Sequence, residues 1–304
     1  MLDIVLTIFA VIALGWLARH FGILAQGSQK PLNDYIYYVS MPALILVRLM
    51  ATKIGGEQVA LLMANALPVL AMVALVLALA RLKILQPKLA GALLITSFFG
   101  NIIFMGFPAV QLRFGPAALG DAAIITFIVN FLIFTLGLAS LGFISGKSWF
   151  KFAQEKLARN TIIASCIIGA AVSLAGLVPP AWLSGLLDFV GSTTSPLALF
   201  SMGVFLYGQP LGSRSKEVAL LAIFKLAIFP LLVVVSLLIF GLRGTPAGIS
   251  FMEALMPLAV TNFIIAEKFD LDGELVAEAI VTTTLLSIPL ILGFDSIYAI
   301  IFGA

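Results

Sequence analysis

Apolar residues run through this chain in long blocks separated by short polar clusters, and the length of the blocks carries the first inference. A helix rises about 1.5 Å per residue, so roughly 20 apolar residues cross the hydrocarbon core of a bilayer. Ten blocks approach that length: 3–19, 32–50, 58–80, 89–113, 120–143, 160–178, 188–207, 217–241, 246–267 and 273–302. The pattern predicts an all-α polytopic membrane protein of ten transmembrane helices. The second block is the most polar at its start, where Asn33, Asp34, Tyr35, Tyr37, Tyr38 and Ser40 cluster. Such a segment suits an interfacial entry or a cavity-facing surface better than a lipid face.

Two blocks, one in each half, are broken in the middle. Gly100-Asn101 and Gly106-Phe107-Pro108 interrupt the fourth, and Met256-Pro257 and Thr261-Asn262 interrupt the ninth. Proline removes a backbone donor and collides with the preceding turn, so polar backbone groups are freed at membrane depth, where lipid cannot satisfy them. Paired broken segments at corresponding places in two halves point to the substrate site of a secondary transporter.

Composition narrows the class. Of 304 residues, 62% are hydrophobic and 10% charged, with a mean hydropathy of +1.18; a soluble domain carries about 25% charged residues. The longest polar connection, about 145–159, is too short to enclose a core of its own. One cysteine, Cys166, and one histidine, His20, leave no material for a disulfide framework, a Cys/His zinc site or a histidine-based triad. Cys166 reads as a small core residue and His20 as a solvated loop residue. The N-terminal block lacks a basic leader and a small-residue cleavage site, so it is expected to stay as the first span.

The net charge of +3 comes from basic loops whose spacing does not suit nucleic acid. The odd-numbered loops hold Arg19, Lys30, Arg81, Lys83, Lys88, Lys147, Lys151, Lys156, Arg159, Arg214, Lys216 and Lys268, twelve in all; the even loops and termini hold four, Arg48, Lys53, Arg113 and Arg243. The excess places the odd loops in the cytoplasm and both termini outside, in a multi-pass cell (inner) membrane protein. The chain is expected to divide into a five-helix repeat at 1–145, a cytoplasmic basic linker at 146–159 and a second repeat at 160–304. Five is odd, so the repeats are inverted. Ser40-Met41-Pro42-Ala43-Leu44 has a counterpart in Ser195-Pro196-Leu197-Ala198-Leu199, and Pro68 has one in Pro230.

A broken helix exposes amides at one end, which attract anions, and carbonyls at the other, which attract cations. Pro108 and Pro257 are expected to end the half helices, with Asn101, Thr261 and Asn262 beside them. The two amides either satisfy the freed backbone or also line the substrate pocket. Lys225 either snorkels to the interface or points inwards to a substrate carboxylate. Glu253, about one turn before Pro257, is the best carboxylate for a proton or sodium relay, against the plainer reading of an outer-interface residue. Ser40 and Ser195 offer hydroxyls. Arg113, Asp121, Asp188, Glu267 and Asp295 fall near span ends, where interfacial roles suffice.

The stretch Met256-Pro257-Leu258-Ala259-Val260-Thr261-Asn262-Phe263-Ile264-Ile265-Ala266-Glu267-Lys268-Phe269, continuing through Asp270-Leu271-Asp272 to Ser287-Ile288-Pro289-Leu290, resembles the C-terminal signature of the auxin efflux carrier family. Asn101 to Pro108, Met41-Pro42, Lys225 and Pro230 match the same pattern less specifically. The family includes plant PIN-formed carriers and bacterial transporters of malonate or malate type. The resemblance implies a fold similar to bile acid sodium symporters: a scaffold of spans 1, 2, 6 and 7, and a transport domain of spans 3–5 and 8–10 that moves like an elevator around crossed, broken spans 4 and 9. It also implies a homodimer. The long hydrophilic loop of the plant carriers is absent, so auxin is not implied.

The expected function is therefore secondary transport of a small organic anion, a carboxylate or dicarboxylate, across a lipid bilayer. No cofactor or metal is expected, and coupling to Na+ or H+ stays open. A bile-acid-type sodium symporter is the alternative within the fold, but Gln111, Thr126, Glu253 and Thr261 are a thin supply of sodium ligands. An enzyme or receptor subunit is disfavoured because the chain has no HExxH motif, no paired intramembrane aspartates and no soluble signalling domain.

Overall fold

In the computed structural model, which describes residues 1–25, 27–145, 150, 154, 159–209, 212 and 214–303, the chain is helical throughout and contains no strand among those residues. The basic linker predicted at 146–159 lies almost wholly outside the described residues. Helices occupy each of the ten apolar ranges. They are α1 (Leu2–His20), α2 (Gln29–Tyr35) and α3 (Met41–Ala51), α4 (Gly56–Arg81), α5 (Pro87–Thr96) and α6 (Phe107–Phe114), α7 (Leu119–Leu132) and α8 (Leu138–Ser145), α9 (Thr161–Leu174), α10 (Ala181–Gly191) and α11 (Thr194–Leu206), α12 (Ser215–Ile223) and α13 (Phe229–Ile239), α14 (Gly244–Ala254) and α15 (Thr261–Lys268), and α16 (Gly273–Leu292) and α17 (Phe294–Phe302). Seven continuous stretches among them are long and apolar enough to cross a membrane. Large apolar side chains stay exposed on α1 (Leu6, Leu14), α9 (Ile167, Ile168) and α13 (Leu231, Ile239). Lipid, not water, is the solvent such faces suit.

Among the described residues, four helical stretches contain a wider π turn, at Ile36–Ser40, Ile102–Gly106, Ile133–Gly137 and Phe224–Ile228. Three of these stand immediately before an X-Pro pair: Met41-Pro42, Phe107-Pro108 and Phe229-Pro230. A proline ring collides with the carbonyl four residues back, and a π turn opens the spiral at that place, so the helix continues through the proline.

Helix pairing is close where glycine permits it. A Cβ at Gly15 would fall 2.0 Å from Phe200 O, and one at Gly203 would fall 1.9 Å from Ile12 O, so α1 and α11 meet backbone to backbone. The same device recurs where α9 crosses α3, with Gly169 against Leu49, and where α10 meets α3, with Gly191 against Leu44. Small residues give membrane helices this dispersion contact, which lipid cannot match. Polar side chains tie the same group together: Ser201 Oγ donates to Asn33 Oδ1 at 2.6 Å, Thr161 Oγ1 to Tyr37 O at 2.6 Å, and Arg48 pairs with Asp188 at 2.5 Å. Of the polar start of the second block, Asn33 and Tyr35 reach α11 and its approach and Ser40 is buried, while Asp34 and Tyr38 are exposed.

Elsewhere α4 packs on α7 and α13, and α12 on α16. Arg113 and Asp295 form an ion pair at 3.0 Å between α6 and α17, and Arg214 pairs with Asp272 ahead of α16. Glu278, buried on α16, accepts from the amides of Gly212 at 2.7 Å and Arg214 at 3.4 Å.

Candidate functional site

The fourth and ninth apolar blocks cross at their broken centres. Residues 97–101 leave the helix after α5, and residues 255–260 do so after α14. The two irregular strips run antiparallel, bridging at Gly100 and Leu258. Asn101 N donates to Pro257 O at 2.7 Å, and Ala259 N donates to Phe99 O at 3.2 Å. Each break therefore satisfies part of the other, as backbone freed inside a membrane protein must.

Side chains supply the remainder. Asn262 Nδ2 donates to Phe99 O at 3.0 Å, while its Oδ1 has no hydrogen-bond partner among the described residues. Asn101 Oδ1 accepts from Phe104 N at 3.3 Å, capping the second half of its own segment, and Asn101 Nδ2 reaches Met202 Sδ at 3.2 Å. Thr283 on α16 accepts from Leu258 N at 3.2 Å. Both asparagines thus hold freed backbone, and Asn262 keeps an acceptor in reserve.

Lys225 is fully buried and does not snorkel. Its Nζ donates to Ala254 O at 2.7 Å, at the carbonyl end of α14, and lies 5.0 Å from the centre of the Phe229 ring. A cation at a helix C-terminus is favoured by the helix dipole, and a charge-assisted hydrogen bond contributes about 1.5–3 kcal/mol. Gly100 makes room for it: a Cβ there would fall 2.8 Å from Lys225 Cε. The ammonium therefore stands beside both breaks.

Three sequence-derived expectations shift in place. Pro108 does not end a half helix. The break spans 97–101, and Pro108 lies within the second half, carried by the π turn at Ile102–Gly106. Ser195 Oγ donates to Gln111 Oε1 at 2.9 Å, which joins α11 to α6 away from the crossing. Ser40 is buried on the π turn before α3, and its hydroxyl has no hydrogen-bond partner among the described residues. Thr261 opens α15 at the crossing, beside Asn262.

Glu253 is buried, which removes the outer-interface reading. Gln111 and Thr126 do not join it: from α7 the cavity beside Glu253 is lined by Ile125 and Val129. Asn65, Ser250 and Thr283 were not singled out from the sequence. An isolated asparagine in an otherwise apolar span was the available signal for Asn65, and nothing distinguished the two hydroxyls from ordinary helix residues. No cluster of metal-ligating side chains occurs among the described residues. A larger apolar cavity, about 350 Å³, lies between α3, α4, α7 and α9 around Leu49, Leu62, Phe127 and Ile167, far in sequence from either break.

A family model described as membrane transport protein matches residues 1–147 and 146–294, nearly the whole chain. The chain belongs to this membrane transport protein family. A transporter of Methanocaldococcus jannaschii is 25% identical over 95% of this chain and 96% of its own length. A Rhizobium meliloti protein named "Putative malonate transporter" is 26% identical over 99% of this chain and 96% of its own length. The auxin efflux carrier component 5 of Arabidopsis thaliana is 24% identical over 46% of this chain and 41% of its own length. The resemblance to auxin efflux carriers read from the ninth block is thus a family relationship. The chain is a multi-pass membrane protein of a transporter family.

Proposed function

We propose that the chain is a secondary transporter of a small organic anion, a mono- or dicarboxylate, which binds at the crossing of the two broken segments. The observation that carries this reading is the crossing itself. The second halves of both segments begin there with their amide ends, and Asn262 and the Lys225 ammonium stand beside them. Amide ends and a buried cation together favour negative charge. The name of the Rhizobium meliloti relative supports malonate as the first substrate to try.

The architecture proposed with it has ten membrane segments in two inverted five-helix repeats, 1–145 and 160–304. Helix pairing supports this. If the repeats correspond, the contact of α1 with α11 maps onto that of α9 with α3, the contact of α4 with α13 maps onto itself, and the two broken segments exchange places at their crossing. In the elevator reading, α1–α3 and α9–α11 form the fixed scaffold, which also pairs two copies in a cell membrane. The helices around the crossing then move the anion, with both termini outside.

The test is counterflow of labelled malonate and other dicarboxylates in proteoliposomes. Exchange by the wild type and its loss in Asn262→Ala support the reading; full exchange by both Asn101→Ala and Asn262→Ala removes the crossing as the site.

A further inference from the structure

Glu253 sits on α14, 2% exposed, and neither of its carboxyl oxygens has a hydrogen-bond partner among the described residues. It faces a cavity of about 10 Å³ shared with Asn65 of α4, Ser250 of its own helix, and Phe98, Ile102 and Phe229. That volume is about the least that holds one water molecule. The polar neighbours are already committed. Asn65 Nδ2 donates both hydrogens, to Leu61 O and to Ser250 Oγ, each at 2.9 Å, and Ser250 Oγ donates its own to Pro246 O at 3.1 Å. Neither can donate to a carboxylate at Glu253.

Charged and titratable groups on the surrounding elements are committed elsewhere as well. Lys225 gives one ammonium hydrogen to Ala254 O and none to Glu253. Arg113 of α6 pairs with Asp295 of α17, and Tyr298 of α17 donates to Gly244 O, at the opposite end of α14. Asp121 of α7 accepts from Gln58, seven residues before Asn65 on α4, and Glu57 and Arg81 lie at the two ends of α4. The π turn at Ile102–Gly106, the short turn at Pro116–Ala118 and α13 carry no ionisable side chain.

A buried carboxylate without donors or a hydrogen-bonded cation is costly, whereas the protonated acid carries no charge and has a hydrogen of its own to donate. We propose that Glu253 is a proton-binding site of the carrier. It takes up one H+ as a carboxylic acid on one side of the membrane and returns to carboxylate by releasing that H+ on the other. The proposal rests on the transporter reading above and supplies its coupling ion. Sodium is disfavoured by the lining: besides Glu253, the cavity offers only the oxygens of Asn65 and Ser250 among apolar side chains, and a bare cation needs more oxygen ligands than that.

Two measurements test it. In the detergent-purified protein without substrate, infrared difference spectra should show the carbonyl stretch of a buried protonated carboxyl that is present in the wild type and missing in Glu253→Gln. Its absence from the wild type, or its persistence in the variant, overturns the site. In proteoliposomes, a pH gradient of one unit should raise net malonate accumulation by up to about tenfold for one coupled proton. Glu253→Gln should exchange labelled for unlabelled malonate yet ignore the gradient. A wild type that responds to a sodium gradient and not to pH, or a variant that still follows pH, overturns the coupling. A wild type that exchanges no anion at all fails the transporter reading instead, and the infrared result still decides whether Glu253 holds a proton.

Discussion

The amide of Asn101 donates to the carbonyl of Pro257 across 2.7 Å, joining two segments 156 positions apart in the chain. Proline cannot donate, but its carbonyl still accepts, so Pro257 both ends the helix and anchors the opposite break. The asparagine side chains complete what the main chain begins. Asn262→Ala deprives Phe99 O of one of its two donors, and losing such a partner in a buried place costs about 1–3 kcal/mol. The variant is expected to remain folded by size-exclusion chromatography, with a lowered unfolding temperature and malonate affinity reduced about tenfold or more in a binding titration.

Lys225 permits a sharper separation of stability from function. Replacing a buried charge by an apolar side chain of similar volume is often neutral or stabilising, because the desolvation cost disappears with the charge. Lys225→Met is therefore expected to unfold no earlier than the wild type in a thermal scan, while anion counterflow falls at least about tenfold. A variant that is unstable yet fully active would assign Lys225 to holding Ala254 O alone.

The backbone contact between α1 and α11 leaves nothing flexible to yield. Gly203→Val would drive a side chain against Ile12 O, 1.9 Å from the Cβ position. The cost is expected to exceed the roughly 1–3 kcal/mol typical of overpacked cores, and the protein to lose its monodisperse elution profile. Gly185→Ala is the contrast, since no atom lies within 4 Å of its Cβ position in α10. That change is expected to stabilise by about 0.4–1 kcal/mol, read as a raised unfolding temperature.

The hydrogen bond from Ser195 to Gln111 links α11 to α6, across the boundary that an elevator motion would shear. Ser195→Ala removes about 0.5–1.5 kcal/mol from this arrangement, enough to change the balance of two states about two- to tenfold. Spin labels at Leu112 and Phe189, both exposed, are expected to show a broader distance distribution in the variant. An unchanged distribution would make the contact incidental to any motion.

Loop orientation is open to direct measurement. With Cys166→Ala as background, a single cysteine at Lys83 is expected to be shielded from a membrane-impermeant thiol reagent in whole cells and labelled once the cells are opened. One at Lys53 is expected to be labelled in both cases.

Helix positions were legible because a bilayer imposes one length scale on apolar blocks, and the pairing of broken segments was legible because glycine, proline and asparagine punctuate them. The location of the fourth-segment break was not. Pro108 drew the reading towards itself, yet the π turn at Ile102–Gly106 absorbs it, and the same turn recurs before Pro42 and Pro230. No local pattern distinguishes a proline that breaks a helix from one seated after a widened turn. The surroundings of Glu253 were hidden for another reason. Asn65 and Ser250 stand 185 positions apart, and only the packing of α4 on α14 brings them to one cavity.

The atoms that join the two breaks are almost all main-chain atoms: Asn101 N, Pro257 O, Ala259 N and Phe99 O. Most side-chain replacements leave such bonds in place, so the polar cross at the centre persists while the residues around it change. On the proposed reading of the crossing as the anion site, changing the few side chains that rim it would alter the choice of cargo without rebuilding the main-chain frame that holds the two breaks together.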